Sequence, residues 1–91
     1  MKQIADYNFI DSWAVDELGV EPNEEYLVLN DFRQLKKGQL VRFVGFDDVD
    51  NHYGIFVFAD ADGNLLEAYG DFSSATHSSM TELKSALSKQ G

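Results

Sequence analysis

The stretch GFDDVDNHYGIFVFADADG, Gly45 to Gly63, gathers the side chains of this chain best suited to chemistry: Asp47, Asp48, Asp50, Asp60, Asp62 and His52. Carboxylates alternating along a loop are the donor set of a calcium site. Such a loop also needs a glycine at its sixth position and a bidentate acid at its twelfth. Counted from Asp60, Asp62 and Asn64 fall correctly, but the sixth residue is Leu65 and the twelfth is Asp71. Counted from Asp48, Asp50 and His52 follow, but Tyr53 and Ala59 take those two places. Neither frame has the glycine that permits the sharp bend, so no metal is expected. Asp60 and Asp62 read as turn residues, whose side chains hydrogen-bond nearby backbone.

Catalytic sets are equally thin. His52 beside Asp50 has the form of an oriented base, yet two charged loop residues in sequence usually face water. The chain has no cysteine and no Gly-x-Ser-x-Gly elbow. No glycine-rich run leads into a helix to cradle phosphate. Neither an enzymatic activity nor a cofactor is expected.

Charge is the stronger signal. Seven bases face sixteen acids, a formal net charge of −9. Between Arg42 and Lys84 there is no Lys or Arg, and Asp47, Asp48, Asp50, Asp60, Asp62, Glu67, Asp71 and Glu82 fill that window. Arg33, Lys36, Lys37 and Arg42 form the main basic group, too small a footprint for nucleic acid on so acidic a chain. Asp47, Asp48 and Asp50 repel one another, and a basic partner relieves that repulsion while being steered by the same field.

The expected function is therefore a non-catalytic acidic protein-binding domain. Its most concrete form is a small intracellular inhibitor, such as an immunity protein that neutralises a basic toxin or nuclease. Asp47, Asp48, Asp50 and Asp60 would carry the contact, with Asp62 and Tyr53 at the rim. The alternative is a regulatory or scaffold domain that binds through an apolar groove or homodimerises. Phe9 and Trp13 would be its signature, because aromatic residues dominate interface hot spots.

These residues need elements to hold them. DSWAVDELGVEP predicts a helix capped by Asp11 or Ser12, stopped by Gly19, with Val20 touching Val15 and Pro22 beyond. Ile4, Tyr7, Ala14 and Leu18 share its spacing, so helix is also expected over 3–10, although Tyr7, Asn8 and Phe9 are mediocre helix formers. Tyr26 to Leu29, QLVRFVGF, HYGIFVFAD and Leu65 to Tyr69 read as strands. In the third, Tyr53, Ile55 and Val57 point one way and Phe56 and Phe58 the other, so both faces must be covered. DFRQLKKGQ reads as an arm, Asp47 to Asp50 as a connecting loop, and DADGN as a hairpin turn with Gly63 at positive φ. SMTELKSALSKQ closes as a helix, with Ser79 and Glu82 as a capping box.

Residues 26–72 resemble SH3-like small β-barrels. The resemblance lies in YLVLNDFRQLKKGQLVRFVGF and HYGIFVFADADGNLLEAY, above all in Leu35-Lys36-Lys37-Gly38 before an apolar strand. The aromatic N-terminal strand motif, the tryptophan pair and the terminal proline–tyrosine segment of peptide-binding SH3 domains are absent, so proline-rich peptide recognition is not implied. The expected fold is α+β: a small curled antiparallel sheet, an SH3-like barrel, flanked by an N-terminal and a C-terminal helix. The 91 residues suit a single domain. No apolar run reaches the length of a membrane span and the N-terminus lacks a signal-peptide centre, so a soluble, cytoplasmic protein is expected.

Overall fold

A computed structural model describes residues 3–49 and 53–89. A short 3-10 turn at Ile4–Asp6 precedes helix α1 (Trp13–Leu18), strands β1 (Glu25–Val28), β2 (Leu40–Asp48), β3 (Tyr53–Ala59) and β4 (Leu65–Asp71), helix α2 (Ser78–Ala86) and strand β5 (Leu87–Lys89). The strands make one five-stranded sheet in the order β4-β3-β2-β1-β5, antiparallel at every pairing. The fold is thus α+β, a small antiparallel sheet with one helix before it and one after. No described helix is long and apolar enough to cross a membrane.

Strand β2 pairs along both of its edges and carries a bulge. Its first residues pair with β1, Leu40 opposite Leu27 and Arg42 opposite Glu25. Its remainder pairs with β3, from Arg42 opposite Ala59 to Asp48 opposite Gly54. Between Phe43 and Gly45 the register slips by a bulge, which adds local twist and bends the strand from one partner to the other.

The concave face holds the core. Phe56 and Phe58 from β3 meet Phe43 and Phe46 from β2, and Phe72 closes on Phe56 with ring centroids 4.8 Å apart and nearly perpendicular planes. Helix α2 lays Met80, Leu83 and Ala86 on this cluster. Its Ser79 sits so close to Gly70 that a Cβ there would meet the hydroxyl at 2.7 Å.

The other face is covered by the N-terminal segment. Gly45, Val57 and Glu67 lie in one row across β2, β3 and β4. Phe9 rests on Gly45, the Tyr7 hydroxyl donates to Glu67 at 2.7 Å, and the two rings stack 5.4 Å apart, spanning Val57. Val57 is accordingly fully buried. Helix over 3–10 is not what forms. Beyond the turn at Ile4–Asp6 the chain is extended: Phe9 bridges Asp47, and Ile10 donates to the Phe46 carbonyl. The reason is geometric, since side chains two apart share a face only on extended backbone.

Two further differences concern the C-terminus. The α2 cap is His77, whose Nδ1 accepts from the Ser79 N–H, rather than Ser79 with Glu82. Leu87 to Lys89 leave the helix and pair with β1, Leu87 opposite Val28.

The arm between β1 and β2 covers the outer edge of β4. Phe32 and Leu35 exchange backbone hydrogen bonds around Arg33, whose φ is +54°. The Gln34 N–H donates to the Glu67 carbonyl, the Glu67 N–H donates to the Gln34 side chain, and Arg33 Nε donates to the Tyr69 carbonyl. An edge so occupied is closed to strand addition.

Candidate partner-binding surface

The described residues expected to bind a partner stand at the two ends of β3. Asp47 and Asp48 are not loop residues: they extend β2 to its end. As neighbours on a strand they face opposite sides of the sheet. Asp47 lies opposite Ile55 and accepts from the Asn8 N–H at 3.2 Å, so its carboxylate helps seat the N-terminal segment. Asp48 lies opposite Gly54 and is exposed. Tyr53 is on the Asp47 side, its ring 6.3 Å from that of Tyr69. Asp50 lies outside the described residues.

Asp60 and Asp62 stand at the other end of β3, next to Ala59, whose partner is Arg42. The length of a seven-residue strand, roughly 20 Å, separates them from Tyr53. The Asp60 carboxylate is occupied by its own turn. It accepts from the Asp62 and Asn64 N–H groups, both at 2.9 Å, and from the Asn64 side chain. The Asn64 backbone bond above all holds its carboxyl below the usual aspartate range. Gly63 closes the loop at φ +85°. Asp48 and Tyr53 thus meet at one end of β3, and Asp60 and Asp62 stand at the other.

A different surface forms around α1. Ser12 caps this helix, accepting from the Ala14 N–H, and Gly19 stops it in the left-handed conformation with its N–H on the Val15 carbonyl. Ala14 and Val20 enter the core, which leaves Trp13 outward and 49% exposed. On one side, Trp13, Ser12, Asp48, Tyr53, Phe46, Gly54, Phe72 and Ser73 surround a pit of about 100 Å³, which brings Tyr53 and Asp48 together. On the other lies a groove of about 520 Å³ between α1 and the β2 bulge. Phe9, Ile10, Val15, Val44 and Phe46 give it apolar walls, and Asp11, Asp16 and Glu21 stand around it.

Sequence reasoning named Phe9, Trp13, Asp48 and Tyr53 for binding but missed that role for Ile10, Asp11, Val15, Asp16 and Val44. The exposed Ile10 beside Asp11, ahead of a capped helix, was the available signal. Nothing in the chain order says that β2 would pass beneath it.

Electrostatics sharpen this surface. Lys84 pairs with Glu17, and Lys89 with Glu21 at 3.4 Å, so both C-terminal lysines tie α1 and its exit to the end of the chain. Arg33 is stacked between Phe32 and Tyr69, 4.7 and 5.3 Å from their centroids. Asp11, Asp16 and Asp48 have no such partner among the described residues. Among the described residues, no Lys or Arg lines the pit, the groove or the shallow concavity that joins them over Asp11, Trp13 and Asp16.

Comparison with models of known protein families, with curated proteins and with solved structures gave no match.

Proposed function

We propose that this chain is a non-catalytic binding domain that receives a basic region of another protein on its α1 surface. One observation carries the reading: exposed Ile10 and Trp13 share a continuous surface with Asp11, Asp16 and Asp48, and no cation among the described residues lines it. Apolar side chains left outward beside unpaired carboxylates suit a partner that brings both greasy contact and positive charge. A small inhibitor of a basic toxin or nuclease, its carboxylates standing where substrate phosphates would, is the most concrete form of this role. The strand order β4-β3-β2-β1-β5, the bent β2 and the arm between β1 and β2 support an SH3-like barrel as the scaffold. Homodimerisation through the same surface is disfavoured by charge, because it sets like carboxylates of two strongly acidic chains against each other.

The test is capture of the partner from native lysate on the immobilised full chain at low and raised salt. A basic protein retained at low salt, and lost when Asp11, Asp16 and Asp48 are changed to Asn, is the expected outcome. Retention indifferent to both salt and these replacements would refute the reading.

A further inference from the structure

We propose that the groove between α1 and the β2 bulge seats an apolar side chain of a partner segment whose flanking residues are Lys or Arg. This rests on the basic-partner reading and specifies its chemistry. The groove measures about 520 Å³, a size that takes a small ligand or an anchoring side chain. Its walls are held from behind. Phe9 cannot tilt toward the sheet, because Gly45 already lies against its ring, and Phe43, Phe46 and Val20 are fixed in the core. Val15 and Val44 remain only half-buried, so apolar surface is still open to a guest.

The rim decides what flanks that guest. Asp11 precedes α1, Asp16 lies on it and Glu21 follows it. Glu21 is shared with Lys89, whereas Asp11 and Asp16 are unpaired among the described residues. A neutral apolar peptide would leave two carboxylates partly desolvated and unpaired, whereas Lys or Arg beside the anchor offers each a charge-assisted partner. A concavity of about 410 Å³ between the arm and α2 holds Arg33 together with Asp31 and Glu82. Its charges of both signs select no occupant.

Two synthetic probes test this on the full chain by methyl and amide NMR titration: a short peptide alternating lysine and leucine, and the same peptide with serine for leucine. The lysine–leucine peptide is expected to move the methyl signals of Ile10, Val15 and Val44 saturably, and to bind at least about tenfold more tightly. Val44→Gln, or Val15→Gln should the first variant fail to fold, is expected to remove that advantage and leave serine-peptide binding unchanged. Asp11→Asn with Asp16→Asn is expected to weaken both peptides. Equal binding of the two peptides, insensitive to Val44→Gln, would overturn the groove inference and leave the basic-partner reading standing. Failure of both peptides to bind at low salt would overturn both.

Discussion

The ring of Phe9 lies directly on Gly45. A Cβ at residue 45 would come within 2.6 Å of the ring, closer than packed atoms tolerate. The contact joins the N-terminal segment to the bulge of β2, and so shapes one wall of the groove. Gly45→Ala is expected to destabilise the fold by about 1–3 kcal/mol through overpacking, read from denaturant unfolding. In the background of Phe9→Ala the same change should cost much less. A double-mutant cycle reports the difference as coupling, and additive effects would show that the ring can move aside.

The Tyr7 hydroxyl donates to the Glu67 carboxylate across the outer face of the sheet. Burial, then the hydrogen bond and charge of Glu67, push its phenol well above the usual tyrosine range. A phenol whose pKa is raised by folding adds stability that is complete below the unfolded value, about 10, and is lost as pH rises toward the folded one. Alkaline absorbance titration should therefore show one of the four tyrosines ionising late, together with unfolding. Glu67→Gln removes the negative charge and should bring that ionisation earlier. Tyr7→Phe should remove the late ionisation altogether; a late tyrosine that survives Tyr7→Phe would assign the shift to another ring, and one unaffected by Glu67→Gln would leave burial as its cause.

Asp60 offers the opposite sign. Hydrogen bonds from the Asn64 and Asp62 backbone lower its carboxyl pKa in the folded state. A lowered carboxyl pKa adds stability that is present above the unfolded value, about 4, and fades as pH falls through the folded one. Asp60→Ala is expected to lower Tm by roughly a few degrees at neutral pH. The gap from the parent should narrow as the pH drops below the ordinary aspartate range. A gap constant with pH would mean that the carboxylate does not carry the turn.

Much of this architecture was legible because it rests on local chemistry. Ser12, Gly19 and Gly63 are a cap, a helix stop and a turn closure that residue type alone identifies. The two apolar faces of β3 announced a cover on each side. The misreadings lie where distant partners decided the backbone. Ile4, Tyr7, Ala14 and Leu18 fit a helical period, yet Tyr7 and Phe9 are drawn out flat because the Gly45–Val57–Glu67 row receives both rings. Leu87 to Lys89 continue the pattern of α2, and only the free edge of β1 makes them a strand. The candidate site suffered in the same way. Asp47 and Asp48 are adjacent in the chain, and the two sides of a strand part them. Val44 is far along the chain from Ile10 and Val15, and the bulge of β2 brings it to their groove.

The pairing of β5 gives a prediction at single-amide resolution. Val28 and Tyr26 direct their backbone toward β2, as shown by the Val28 N–H on Gln39 and the Phe43 N–H on Glu24, two residues on either side of Tyr26. Alternation then directs Leu27 and Leu29 toward β5, and the Leu29 N–H indeed donates to the Ala86 carbonyl. Leu27 opposite Ser88 is therefore the hydrogen-bonded pair of this ladder. Ser88→Pro deletes the donor on one side of that pair and should cost about 1–3 kcal/mol. Hydrogen exchange should accelerate at the Leu27 amide well before it does at Tyr26 and Val28, whose bonds to β2 are untouched. Equal acceleration at all three would mean that β5 is not a separable edge strand and that its loss opens β1 from β2 as well.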